Sequence, residues 1–281
     1  MRTLAHPINF DEWRTLTRAL LKAEIPPSTI LWQSPGQADL FSELPALKPH
    51  AASIPSVPKA FLDLARTTAC HRSGKQWPYL YAILWRLTHG ERHLLSMATD
   101  SDVHPLRRMA KSIGRDIHKM HAFVRFRKVG EAPDSGREQF VAWFEPEHLI
   151  LKLTESFFLK RFGGMNWSIL TPDQCMHWDG RDIHYTKGVD QSHAPDSDSL
   201  EDLWRAYYRN IFNPARLKVK AMQSEMPKKY WKNLPEAELI EDLIAKSPEE
   251  TKKMLERPAS PEKLAPQNDY LEALRRLDDN P

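Results

Sequence analysis

HAFVRFRKV, His121 to Val129, is followed by GEAPDSG and then by QFVAWF, Gln139 to Phe144. Both flanking runs are rich in valine and aromatic residues, and the connection between them is built from turn formers. This pattern predicts an antiparallel hairpin. Alternation along the first run puts His121, Phe123, Arg125 and Arg127 on one face and Ala122, Val124 and Phe126 on the other, with the second face turned to a core. The hairpin decides the fold class because the segments on both sides of it read differently.

Before it, Leu106, Met109, Ile113, Ile117 and Met120 recur at helical spacing, which predicts a helix over Pro105–Met120. Further upstream, helices are expected over Asn9–Glu24, Pro58–Arg66 and Trp77–Thr88, with a Pro-, Ser- and Ala-rich connection over Gln33–Pro58. After the hairpin comes another helix, Glu147–Phe162. Three short strands then follow at Trp167–Leu170, Cys175–Trp178 and Asp182–Tyr185, with TPD and DG as turns. The expected class is α+β, mainly helical, with a central antiparallel sheet of about four or five strands.

One α+β domain over 1–245 is expected: helical over 1–120, sheet-containing over 121–188, and helical again over 200–245 after the polar linker DQSHAPDSDSL. That last part comprises a helix at Leu200–Ile211, a second capped by Asn213 with Pro214, and a third from Pro235 through Ala245. Residues 246–281 read as a charged, largely flexible tail with a short helix near Tyr270–Leu277.

The net charge of +3 conceals a polarity. Trp204 to Pro235 holds eight Lys/Arg against Glu225 alone, whereas Glu236 to Pro281 holds twelve Asp/Glu against seven Lys/Arg. Such asymmetry points to a basic binding surface. Cys70 and Cys175 are far apart and form no CxxC pair, which argues against a disulfide framework and a cysteine-rich metal site. No apolar leader and no membrane-length apolar run is present, so a cytoplasmic protein is expected.

Two segments carry the charge argument. On the helix before the hairpin, the apolar positions leave Arg108, Lys111, Arg115 and Lys119 as a basic stripe, which leads into the face bearing Phe123, Arg125 and Arg127. Guanidinium groups suit phosphates and an aromatic suits a nucleobase. The second segment is NPARLKVKAMQSEMPKKYWKNLPE, Asn213 to Glu236, with Arg216, Lys218 and Lys220 on a helix and Lys228, Lys229 and Lys232 around Tyr230 and Trp231. Trp231 is expected to anchor the following helix, and Tyr230 to join the binding surface.

His118 and His121 are the candidates for acid–base chemistry near a phosphate. In TPDQCMHWDG, the residues Asp173, Cys175, His177 and Asp179 could share a strand face with metal-ligand chemistry, but turn residues at both ends favour structural roles. HRSGK lacks the spacing of a phosphate-binding loop, and PGQ at 35–37 sits in a Pro-rich connection. No metal or cofactor is expected.

CHRSGKQWPYLYAILWRLTHGE, MAKSIGRDIHKMHAFVRFR, FVAWFEPEHLIL, RFGGMNWSILTPD and NPARLKVKAMQSEMPKKYWKNLPE resemble a bacterial family of DNA-metabolism proteins, from about Asn9 to Ala245. The resemblance implies a place in DNA repair beside a radical SAM protein, and a similar domain is found fused to a uracil-DNA glycosylase-like domain. Neither the glycosylase half nor the cysteine triad of a radical SAM enzyme is in this chain, so either protein would be a separate partner. The leading expectation is a DNA-binding protein that presents single-stranded or damaged DNA to that partner. A nucleic-acid-processing enzyme using His118 or His121, and an interaction scaffold, remain the alternatives, so whether the protein turns over a substrate stays open.

Overall fold

The computed structural model describes residues 2–33, 56–131, 136–194 and 219–256. The first helix, α1 (Phe10–Lys22), starts where Asn9 accepts the Glu12 N–H at 3.0 Å and Glu12 accepts the Ile8 N–H at 2.7 Å, a reciprocal cap. It packs Trp13 and Leu20 against α2 (Lys59–Thr68) and α3 (Gln76–Thr88). Two four-residue strands absent from the sequence reading, β1 (Arg2–Ala5) and β2 (Ile30–Gln33), pair in parallel beside this helical core.

The next helix, α4 (Val103–Phe123), is 21 residues long, about 31 Å at the α-helical rise. Arg86 fixes its start by pairing with Asp100 and Asp102, each at 2.8 Å. Val103 and Leu106 belong to the N-terminal core, while Ile113 and Met120 belong to a second core built around the sheet. One helix therefore spans both hydrophobic clusters.

The expected hairpin boundary is corrected here. The helix continues through His121 and Phe123, and β3 begins only at Arg127 (Arg127–Glu131). Helical propagation is rewarded by tertiary contacts: His121 stacks on Phe157 at 3.8 Å and Phe123 on Tyr230 at 5.4 Å. The alternating face of His121, Phe123, Arg125 and Arg127 therefore does not exist. Val124 and Phe126 do pack in the core as expected, but Ala122 is exposed.

The sheet has five strands in the order β3–β4–β5–β6–β7, with β4 at Glu138–Trp143, β5 at Asn166–Leu170, β6 at Gln174–Trp178 and β7 at Ile183–Lys187. Three pairings are antiparallel. The fourth, β4 with β5, is parallel, because α5 (Leu151–Phe162) carries the chain back before β5 begins. The architecture is thus α+β with a mixed, mostly antiparallel sheet. Phe158, Trp167, Ile169 and Met176 fill the space between α5 and the strands.

The C-terminal part adds α6 (Val219–Glu225), a 3-10 turn at Lys228–Asn233 and α7 (Ala237–Glu256). The last helix, expected to end at Ala245, runs on through Pro248. No helix among the described residues is long and apolar enough to cross a membrane. The helix expected at Leu200–Ile211, the one near Tyr270–Leu277, and most of the Gln33–Pro58 connection lie outside the described residues.

Candidate functional site

The residues singled out in the sequence fall into three places. At the sheet end, the Arg125 guanidinium donates from Nη1 to the Ala122 carbonyl at 2.7 Å and from Nη2 to Glu236 Oε1 at 2.7 Å. Arg125 is thereby committed to joining the end of α4 to the start of α7. It also lines a small concavity together with Arg127, Trp143, Gln191, Lys232 and Asn233. The two basic segments do meet at this point, but a carboxylate answers each: Glu236 sits on Arg125, and Glu145 accepts from Lys232 Nζ at 2.6 Å.

Lys229 in the basic–aromatic segment is neutralised in the same way. Lys229 forms an ion pair with Glu147, and that hydrogen bond holds the Glu147 carboxyl below its usual range. Lys228 lies over the Trp231 ring at 5.5 Å, while the Trp231 indole N–H donates to the Met226 carbonyl at 3.0 Å. Tyr230 is 2% exposed, and its ring is stacked between Phe123 and Phe144, the latter at 5.1 Å and 8°. The fold uses both faces of this ring itself, so stacking on a base would require it to leave the core. Arg216 and Lys218 lie outside the described residues, as does the side chain of Lys220, which is in α6.

The glutamates that answer these lysines come from FEPEH, Phe144 to His148. That loop is pinned from beneath by a polar cluster that sequence reading missed. Asp116, on α4, is buried and accepts the His148 N–H at 2.9 Å. The His148 ring lies 2.9 Å from Ser112 Oγ and 4.4 Å from the His71 ring. Arg72 closes the cluster by donating to the Glu147 carbonyl at 3.0 Å and, through both terminal nitrogens, to Asp173.

Burial raises the Asp116 carboxyl and lowers the His148 imidazole, so the charged form of each is disfavoured. A carboxylate with a raised folded pKa makes the native state hold more protons than the unfolded chain, so its contribution to stability declines as pH rises from about 4. Asp116→Asn keeps an acceptor for the His148 N–H without that charge. The stability difference between the wild type and this variant should therefore shift toward the variant as pH rises from 4 to 7. Denaturant unfolding across that range checks it, and a pH-independent difference would remove the burial argument.

The metal-type constellation of TPDQCMHWDG is taken apart by the fold. Asp173 is bound by Arg72, Cys175 is buried, and His177 lies between Ser168 Oγ at 2.8 Å and Thr186 Oγ1 at 2.9 Å. Asp179 accepts the Arg181 and Asp182 N–H groups, each at 2.8 Å.

The stripe on α4 behaves differently. Arg108, Lys111, Arg115 and His118 are exposed and Lys119 is half-buried. Among the described residues, no carboxylate lies within ion-pair distance of Arg108, Lys111, Arg115 or Lys119. At 3.6 residues per turn these side chains form two adjacent rows. One holds Arg108, Arg115 and Lys119, and the other holds Lys111 and His118 together with Arg107, which the apolar spacing had not brought out. Arg107 donates one guanidinium N–H, from Nη2, to the Leu95 carbonyl at 2.6 Å. His121 points instead into the second core, where burial lowers its pKa and Phe157 covers its ring. The two histidines are thus separated in environment, and only His118 shares the basic face.

A family model described as a domain of unknown function (DUF4130) matches residues 74–236, more than half of the chain. The chain belongs to this family. The DUF4130 span contains α3, all of α4, the five-stranded sheet and the turn bearing Tyr230, and it reaches Glu236, the partner of Arg125. Within the DUF4130 region therefore lie both rows of the basic face and the Ser112, Asp116, His148 and Asp173 members of the polar cluster beneath FEPEH, while His71 and Arg72 lie just before it. No curated protein and no solved structure matches the chain.

Proposed function

We propose that this DUF4130 protein binds DNA, single-stranded or damaged, through the exposed face of α4, and that it works in DNA repair or metabolism beside a separate enzyme of the radical SAM or uracil-DNA glycosylase-like kind. The observation that carries the binding is the cationic ladder of Arg108, Lys111, Arg115 and Lys119, which forms no ion pair with the described residues. Lys111/Arg115 and Arg115/Lys119 are like-charge pairs four residues apart, each of which weakens a helix by about 0.2–0.5 kcal/mol. An anionic ligand turns that repulsion into binding energy. By contrast, Arg125, Lys229 and Lys232 are each met by a glutamate, Glu236, Glu147 and Glu145 respectively. The repair context and the partner rest on the resemblance of the long sequence motifs.

Fluorescence anisotropy with single-stranded and duplex oligonucleotides over a salt series tests the reading. Affinity should fall steeply with salt. Replacing Arg108, Lys111 and Arg115 together by alanine should make the log–log slope shallower by about 2 to 3, at roughly 0.7–0.9 per phosphate contact. Circular dichroism of the triple variant should remain that of the wild type, since the removed side chains make no ion pairs with described residues. Wild-type binding that is flat across the salt series would overturn the proposal.

A further inference from the structure

Gly114 lies in the middle of the basic face and inside a 21-residue helix. It is exposed, and beyond its own helix a Cβ added there would meet no atom of the described residues within 4 Å. Its backbone is helical, so neither packing nor a left-handed conformation calls for glycine. Other glycines have such a reason: Gly74, Gly90 and Gly180 have positive φ, and a Cβ on Gly163 would press on the Leu159 carbonyl at 2.8 Å. In a helix interior glycine is inferior to alanine because it leaves more backbone freedom to be lost on folding. Gly114 therefore weakens α4 without any return among the described residues.

Its place in the rows gives it a use. Arg107, Lys111, Gly114 and His118 follow one another at steps of four, three and four residues, which lines them along one ridge with Gly114 as its gap. Arg115 is the next residue in the chain and belongs to the adjacent row. A ligand can approach the helix axis most closely where no side chain stands, and here that point is surrounded by Lys111, Arg115 and His118. We infer that Gly114 is a positioning residue for a sugar–phosphate backbone, the gap in which one phosphate group comes against α4 while the flanking side chains close on its oxygens. This inference rests on the proposed binding of DNA by the same face.

The variant Gly114→Ala tests it, because structure and binding should move in opposite directions. The melting temperature should rise, as expected for removing an exposed glycine from a helix. Affinity for a single-stranded oligonucleotide should fall by roughly tenfold, the equivalent of one lost contact, and Gly114→Leu should fall further. A Gly114→Ala protein that binds as the wild type does, while the Arg108/Lys111/Arg115 triple variant has lost affinity, overturns the role of Gly114 and leaves the binding face standing. A variant that loses melting temperature as well as affinity also overturns it, by showing that the glycine serves the fold. A wild-type protein without salt-dependent binding removes both ideas together.

Discussion

Arg125→Ala is expected to lower folding stability by about 3 to 5 kcal/mol, the range for breaking a buried ion pair from one side. The Glu236 side chain is 5% exposed and that of Arg125 20% exposed, so removing the guanidinium leaves a carboxylate with almost no access to water. Two backbone carbonyls at the end of α4, those of Ala122 and Val124, also lose a donor. The pair fastens α4 to the beginning of α7 across 111 residues of sequence, so the cost should appear in global unfolding rather than in local fraying. Urea denaturation of Arg125→Ala, Glu236→Leu and the double variant separates pairing from burial: the double variant should be closer to the wild type than Arg125→Ala is. An Arg125→Ala protein within about 1 kcal/mol of the wild type would show that the pair is not the latch described, since only exposed pairs are that weak. DNA affinity per folded molecule should be unchanged.

Tyr230→Ala should cost a similar amount, about 3 to 5 kcal/mol, as large aromatic truncations in cores do. The ring is fully enclosed between Phe123 and Phe144, and its loss opens a cavity where the 3-10 turn docks on the sheet-side core. Tyr230→Phe keeps both stacked faces and should cost far less. Thermal unfolding measures the stability, and oligonucleotide binding at a temperature where the variant is folded measures the function. A folded Tyr230→Ala protein with intact stability and lost DNA affinity would return Tyr230 to the binding surface suggested by its basic neighbours.

The contrast between Tyr230 and the α4 stripe shows which features local pattern conveys. Period 3.6 alone separates Ile113 and Met120 from Arg108, Lys111 and Arg115, because the inner and outer faces of a helix are set by the spacing of residues within it. Helical spacing likewise placed α3 and α5, and turn residues set off the strands β5 to β7; Val124 and Phe126 are in the core as strand alternation expected, although α4 runs through Phe123 and no strand begins before Arg127. Gly114 is equally visible as a glycine inside a helical pattern, but its meaning depends on the tertiary structure, in which no described residue packs against it.

Other features rest on residues distant in sequence. Whether His121–Phe126 is strand or helix end was settled by Phe157, by Tyr230 and by Glu236, which reward a continued helix over the β propensity of the segment. The charge of KKYWK looked available because its partners, Glu145 and Glu147, lie more than 80 residues earlier. The role of Asp116 depends on His148, 32 residues on, whose N–H it accepts. The parallel pairing of β4 with β5 follows from the path of α5, and β1 with β2 from strands too short to show a period. Periodicity is a property of adjacent residues and survives in the sequence; the neutralisation of a charge or the covering of a ring depends on which distant segment the folded chain brings against it.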